Sequence, residues 1–282
     1  MKIPGFLLNR KADSHKYDYG YVLVVGGSPG LVGAPCLCAQ AALKIGAGLV
    51  RIAVPKSLNS IFEMNLMEVM TLPVVDKAGY FCERSFDAIK PLLGKIDVLA
   101  IGCGASVNKE TQSFLRKIVQ TVDKPMVIDA DGLTALAGHM TILEKRRSSR
   151  LVLTPHVGEF SRMTGIDNNR IINTRKELVK QYALRYNLTL VLKGDHTLVS
   201  DGKAFFENST GNPAMAKAGT GDVLSGMIAG LMAQGLSGFD AARLGVYLHG
   251  LSGDIAVKAK TEMCLLASDI IDYLPEAIKK AR

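Results

Sequence analysis

The chain has 282 residues, 48% of them hydrophobic, with 28 glycines and no tryptophan; this allows a sizeable core with many tight turns, in one large or two small domains. The aromatic content of 6% argues against aromatic platforms for nucleic acid, and the basic residues form no nucleic-acid motif. The net charge of +8 favours anionic, phosphate-bearing ligands, although a solvated basic surface, to which the Lys279–Arg282 tail contributes, is the plainer account.

Cys36, Cys38, Cys82, Cys103 and Cys264 form neither a disulfide framework nor a paired metal knuckle, which fits a reducing, cytoplasmic setting. Cys36 and Cys38 read as buried thiols on a helix. The first sixteen residues lack the apolar core and cleavage pattern of a signal peptide. Residues 19–43 carry no charge, but five glycines and two prolines among them suit strand, loop and helix better than a membrane span.

Strand and helix alternate along the chain. Tyr21–Val25 is a buried strand ending in Gly26-Gly27-Ser28-Pro29-Gly30, and a helix over 34–45 follows, closed by Gly46 and Gly48. A strand over 49–54 is stopped by Pro55. A helix over 58–64, a strand over 69–73 and a helix over 86–93 come next. A strand over 98–101 runs into Gly102-Cys103-Gly104. A helix over 109–120 has Asn108 as its cap. A strand over 126–128 ends at Asp129-Ala130-Asp131-Gly132, and a short helix covers 133–137. A strand over 151–153 ends at Thr154-Pro155-His156. Helices over 159–164 and 175–186 precede a strand over 188–192 that ends in Lys193-Gly194. Residues 197–200 and 203–206 read as a hairpin around Asp201-Gly202. Helices over 222–234, 240–258 and 267–279 finish the chain. This order predicts a mostly parallel sheet covered on both faces, within one domain spanning 1–282, with ligands beyond the carboxyl ends of the strands.

The turns after the strands are therefore the places where chemistry is expected. Each is weak alone, since a glycine after a strand is most often only a turn; together they outline a groove. No GxxxxGK[ST] loop is present, and Gly219-Thr220-Gly221 has Leu224 where a dinucleotide fingerprint needs a third glycine. No HExxH or GxSxG is present, and Ser225-Gly226 reads as helix packing. His156 reads as a capping or functional histidine. Asp129 and Asp131 read first as turn formers and second as contacts to a metal or a ribose, and Lys193 as either a phosphate contact or a solvated strand end.

The densest signal is Ala218-Gly219-Thr220-Gly221-Asp222 ahead of an apolar helical pattern. Glycines before a helix let backbone N–H groups converge on an anion. A carboxylate beside an anion site is out of place unless it takes a proton from a hydroxyl attacking a phosphoryl group. The plainer alternative is that Asp222 caps the helix.

Across nearly the whole chain, the segments VLVVGGSPGLVGAP, ALKIGAGLV, AIGCG, VIDADGL, LTPHVGEFSRMTG, LVLKGDHTLV, GNPAMAKAGTGDVLSGMIAGLMAQG and VYLHG resemble the ADP/ATP-dependent NAD(P)H-hydrate dehydratases of the ribokinase-like superfamily. GTGD alone is shared with other ribokinase-like kinases; LTPHVGEF and GGSPGLVGAP make the match specific.

The resemblance implies a three-layer α/β/α sandwich and repair of hydrated NADH or NADPH. ADP, or ATP, would phosphorylate the ring hydroxyl of the S epimer, and loss of phosphate would restore the double bond; with ADP the other product is AMP. It implies that Asp222 is the base and contacts the hydrate. Gly219, Thr220 and Gly221 would form the anion hole, with Gly221 also touching nucleotide. Ala34, Gly104 and His156 would bind the hydrated dinucleotide, and Lys193, Gly194, Asp195, His196 and Thr197 the adenine nucleotide. Magnesium would bridge the phosphates with no protein ligand assigned. A homo-oligomer such as a tetramer is implied, with no nucleic-acid or membrane partner. The KGDHT and AKAGTGD segments resemble the ADP-preferring bacterial branch.

Where the family often has GPG, this chain has Gly102-Cys103-Gly104, a change expected to alter loop stiffness rather than chemistry. No fused epimerase domain is expected within the chain, so epimerisation of the hydrate would fall to another polypeptide. A ribokinase-like kinase of a thiazole or pyrimidine alcohol is the alternative enzyme. A non-catalytic nucleotide sensor is the third reading, disfavoured because a sensor has no need of a base at Asp222.

Overall fold

The computed structural model describes residues 1–282. Eleven strands form: β1 (Tyr21–Val25), β2 (Leu49–Pro55), β3 (Met70–Val74), β4 (Asp76–Lys77), β5 (Tyr80–Phe81), β6 (Val98–Ile101), β7 (Met126–Ile128), β8 (Leu151–Leu153), β9 (Thr189–Leu192), β10 (Leu198–Ser200) and β11 (Phe205–Glu207). Nine of them make one sheet in the order β11-β10-β9-β8-β7-β6-β1-β2-β3. The seven strands from β9 to β3 run parallel, and β10 and β11 extend the β9 edge antiparallel. The β4–β5 hairpin, absent from the sequence reading, is two residues per strand and too short to leave a periodicity.

β1 shows why the central strands read as unbroken apolar runs: all five residues are buried. Val22 and Val24 face a cluster of 41 buried residues shared with the helices Gly33–Lys44, Thr220–Ala233 and Gly238–Ala259. Tyr21, Leu23 and Val25 face a second cluster of 37, shared with the helices Lys109–Thr121 and Arg175–Tyr186. Alternate residues thus feed opposite cores, as a sheet covered on both faces requires.

Several boundaries differ from the sequence expectation. The hairpin register pairs Ser200 with Phe205, so the loop is the four residues Asp201–Ala204 rather than a two-residue turn. Asp201 Oδ1 accepts the N–H groups of Lys203 at 2.9 Å and Ala204 at 2.7 Å, which supplies the turn without a tight glycine pair. The last helix is broken at Tyr273 into Ala267–Asp272 and Leu274–Lys280, because Pro275 has no N–H for the helical ladder. Short helices at Thr141–Lys145 and Asn168–Asn173 lie in stretches too polar to read as amphipathic.

The strand order reverses between β6 and β1, and there the turns after both strands meet. Gly27 N–H donates to Cys103 O at 3.2 Å, and a side chain at Gly26 would drive into that same carbonyl oxygen. This is the switch point at which parallel α/β sheets open a binding crevice.

Candidate active site

The Thr220–Ala233 helix begins two residues earlier than its apolar pattern indicates. Gly219 is the N-cap residue, with a left-handed φ of 92° that favours glycine. Asp222 is therefore the third helical residue rather than the cap, and no side-chain cap hydrogen bond forms at this end. The capping reading of Asp222 falls on that geometry. Val223 N–H returns to Gly219 O at 3.1 Å, and Thr220 N–H points at Lys217 O at 3.4 Å. The N–H groups of Gly221 and Asp222 have no carbonyl one turn back, so they are the donors this helix end offers to an anion.

Two glycines bring this helix close to Gly33–Lys44. A side chain at Gly226 would collide with the carbonyl of Cys38, and one at Gly230 would meet Ala42 O at 2.6 Å. The close crossing seats Asp222 beneath the turns of β6 and β7. Cys103 Sγ and one carboxylate oxygen each of Asp129 and Asp222 all lie within 4.8 Å of one another. Cys103 and Asp129 are 1% and 2% exposed, so the three groups interact with little water between them. Burial, and next the charge of Asp129, raise the Asp222 carboxyl to about 6; the Cys103 thiol and Lys193 oppose the rise.

Asp129 is not the turn former expected. Its Oδ1 accepts from Lys193 Nζ at 2.7 Å and its Oδ2 from Ser225 Oγ at 2.6 Å. Ser225 is thus more than the packing residue expected from its helix; its hydroxyl is one helical turn beyond Asp222 and fixes the neighbouring acid. Lys193, whose side chain is 17% exposed, also lies 3.6 Å from Glu159 Oε2. Burial works to depress its ammonium, but Asp129 and then Glu159 outweigh burial and hold it above its usual range. A methyl group at Gly221 would sit 3.3 Å from Lys193 Nζ, so this cation stands against the helix end. It is neither solvated nor out with the rest of its loop.

The remaining expected residues sort into two places. Gly104, at φ 60°, would touch Ala34 Cβ at 3.2 Å if it carried a side chain, so those two line one wall with Leu31. On the other side, His156 pairs with Lys193 in an isolated bridge between their backbones. His156 caps the Val157–Thr164 helix: its Nδ1 accepts from Gly158 N at 3.0 Å and Glu159 N at 3.3 Å, and Glu159 Oε2 accepts from its backbone N–H at 2.8 Å. Burial lowers the pKa of this imidazole, which fits an Nδ1 that accepts. Gly194 to Thr197 form a tight turn in which Thr197 Oγ1 donates to Gly194 O at 2.9 Å and His196 takes φ 51°. The side chains of Asp195 and His196 are 92% and 60% exposed, so this turn offers backbone more than buried side chains. Asp131 lies apart, receiving Ser106 N–H at 2.7 Å, with its carboxyl raised by burial.

Comparison with known proteins places this geometry. The family model for NAD(P)H-hydrate dehydratase matches residues 22–276, which includes every residue just described. The chain belongs to the NAD(P)H-hydrate dehydratase family. Among relatives of this family, the bifunctional NAD(P)H-hydrate repair enzyme Nnr of Moorella thermoacetica is 44% identical over 276 residues, covering 97% of this chain and 52% of that protein. Nnr of Thermofilum pendens is 38% identical over 276 residues with the same coverage of 97% and 52%. The chain therefore spans about half the length of the curated relatives it matches. The ADP/ATP-dependent NAD(P)H-hydrate dehydratase of Bacillus subtilis, co-crystallized with ATP/Mg2+, superposes with a TM-score of 0.82 at 30% identity, covering 97% of this chain and 94% of that one. A hydroxyethylthiazole kinase from Pyrococcus horikoshii, at 15% identity and a TM-score of 0.64, shares the fold alone, so the vitamin-kinase reading has no support beyond architecture. No helix is long and apolar enough to cross a membrane.

Proposed function

We propose that this chain dehydrates the S epimer of hydrated NADH or NADPH at the expense of ADP, or of ATP. The observation that carries the reading is the half-buried, non-capping carboxyl of Asp222, raised to about 6, at a helix end whose free N–H groups and adjacent Lys193 ammonium suit a phosphoryl group. The hydrate's ring hydroxyl attacks the terminal phosphorus while Asp222 takes its proton; the bond from phosphorus to the bridging oxygen breaks, releasing AMP from ADP. The ring C–O bond then breaks, phosphate leaves with the electron pair, and loss of a proton from the adjacent carbon restores the double bond. Hydroxide is a poor leaving group and phosphate a good one, so the protein's task is positioning, charge stabilisation and proton removal.

In this reading Gly219, Thr220 and Gly221 shape the anion hole, Ala34, Gly104 and His156 bind the hydrate, and the Lys193–Thr197 turn binds the nucleotide. Lys193 serves the phosphoryl end of that nucleotide rather than its base, since it lies against Gly221. Magnesium is the expected ion, because it binds through substrate phosphates and one or two carboxylates. Asp129 has both oxygens committed to Lys193 and Ser225, and a thiol is a poor ligand for a hard cation. Asp222 and Glu159 are then the carboxylates that fit, and the ion would neutralise charge on the transferring phosphoryl group. In the same reading, residues 1–282 act as one catalytic unit, in the cytoplasm and as a homo-oligomer.

The test is recovery of reduced-nicotinamide absorbance when purified protein meets NADPH-hydrate, magnesium and ADP or ATP, with phosphate release measured in parallel. No recovery with either nucleotide would sink the proposal. A stable phosphorylated alcohol formed from another substrate would replace it with a kinase.

A further inference from the structure

The VYLHG segment lies on the Gly238–Ala259 helix, away from the turns that follow the strands. Its histidine, His249, is half-buried, and its Nε2 lies 2.9 Å from Thr220 O, the carbonyl of the first helical residue after Gly219. A carbonyl oxygen can only accept, so Nε2 carries the proton and donates. Burial holds the ring down to about 4, with the Thr220 bond opposing that fall and Lys193 adding to it; the ring is therefore neutral at physiological pH.

Thr220 C=O and Gly221 N–H belong to one planar peptide unit. A donor fixed on the oxygen draws electron density toward it, leaves the N–H a stronger donor and fixes the plane in which it points. Gly221 N–H is one of the two donors that the helix end offers to an anion. The helix carrying His249 is held against the approach to that turn. Thr210 Oγ1 donates to Tyr247 O at 2.8 Å, Asn208 Nδ2 to Val246 O at 3.2 Å, and Asp254 accepts from Gly211 N at 3.0 Å and Asn212 Nδ2 at 2.9 Å. His249 is thus presented from a braced frame.

We propose that His249 is a positioning residue for phosphoryl transfer, acting through the Thr220–Gly221 peptide to aim and polarise the Gly221 N–H of the anion hole. The inference rests on reading that helix end as the phosphoryl site. His249 touches neither nucleotide nor hydrate in this scheme; its effect is greatest when charge builds on the transferring group.

The experiment compares wild type, His249→Gln and His249→Phe. Glutamine keeps an N–H donor near the position of Nε2, and phenylalanine keeps the ring without it. One hydrogen bond's worth of stabilisation corresponds to a loss of about five- to tenfold in kcat for His249→Phe, with KM for the nucleotide changed less than about twofold and most of kcat recovered in His249→Gln. A readout independent of turnover is the Gly221 amide itself. The chain holds three Thr–Gly steps, ending at Gly165, Gly211 and Gly221, so labelling threonine carbonyls with carbon-13 and glycine with nitrogen-15 isolates three peptide signals. In the ligand-free protein the Gly221 signal should move in His249→Phe and stay near its wild-type position in His249→Gln, while the Gly165 signal is unmoved in both. Equal kcat in all three proteins, or a Gly221 signal that ignores the donor, overturns the proposal. If wild type fails to turn over NADPH-hydrate while the Gly221 signal still follows the donor, the phosphoryl-site reading fails and the peptide coupling stands.

Discussion

At the residue scale, Asp222 is where stability and the proposed catalysis make opposing demands. A carboxyl raised to about 6 in the folded state, against an ordinary 3.8, binds its proton more tightly when native than when unfolded. The fold is then most favoured below the unfolded value and loses that contribution as pH rises through 6, by on the order of 3 kcal/mol once ionisation is complete. Asp222→Asn removes the charge, and should raise the Tm of the ligand-free protein by about 5–10 °C at pH 8. The gain should shrink toward zero near pH 4, as thermal melts at the two pH values would reveal. The same substitution should cost about 10²–10⁴-fold in turnover. A melt that falls at pH 8 would mean that the charged carboxylate is structurally required after all.

In the proposed reaction the same ionisation should set the acid limb of the rate profile. With Asp222 as the base, kcat/KM should fall below about pH 6, the direction expected for loss of a deprotonated group. Asp129 contributes to the rise of Asp222 through its charge, so Asp129→Asn should move that limb to lower pH. The variant also strands Lys193, and breaking a buried pair from one side typically costs about 3–5 kcal/mol, so its melting temperature should drop as its limb moves. A pH–rate profile on the surviving folded protein checks the direction. Cys103, expected to matter only for loop stiffness, has its thiol beside both carboxylates; the sequence could not say so, since Cys103 and Asp222 are far apart along the chain.

At the element scale, the position of Asp222 depends on the crossing of the Gly33–Lys44 and Thr220–Ala233 helices. Gly226 and Gly230, one turn apart, let the backbones approach; a side chain at Gly226 meets the Cys38 carbonyl oxygen, and one at Gly230 meets the Ile45 side chain and the Ala42 carbonyl oxygen. Gly226→Ala should therefore destabilise despite its better helix propensity, which favours alanine by about 1 kcal/mol. Overpacking of this kind costs about 1–3 kcal/mol or more, and the net effect should be a lowered denaturation midpoint with reduced kcat. A midpoint at or above wild type would show that the crossing can relax. The start of the second helix was not legible to the residue, because Gly219, Thr220 and Gly221 bear no apolar side chain to extend the periodic pattern. The caps were more legible: Asn108 accepts Glu110 N–H at 3.0 Å, as its residue type led us to expect.

At the scale of the whole molecule, the groups of the candidate site come from strand ends and helices spread over most of the chain. Cys103 follows β6, Asp129 follows β7, His156 lies beyond β8, Lys193 follows β9, and Asp222, Ser225 and His249 come from two helices. Parallel strands in the order β9-β8-β7-β6-β1 bring those turns to one edge. Asp129 is bonded directly to Lys193 and Ser225, so a chelator should leave the Tm of the ligand-free protein within about 1 °C while stopping turnover with ADP. A large fall in Tm on chelation would reveal a structural ion. Nucleotide with magnesium should raise the Tm in proportion to the logarithm of its concentration, by about 2.7 kcal/mol of stability at a hundredfold excess over Kd.

What the sequence determined by itself was the class of fold; it also marked the neighbourhood of the proposed chemistry. Unbroken apolar runs such as Tyr21–Val25 require a sheet covered on both faces, and the Gly219–Asp222 turn combines anion-binding backbone with an acid in four adjacent residues. Both signals are local. The tertiary structure decided which groups stand together: that Asp129 pairs with Lys193 64 residues away, that Ser225 bonds Asp129 across 96 residues, and that His249 reaches Thr220. It also decided that Asp222 is no cap and that its carboxyl is raised. Coulomb interactions and desolvation depend on distance and burial in space, and neither is written in the spacing of residues along a chain.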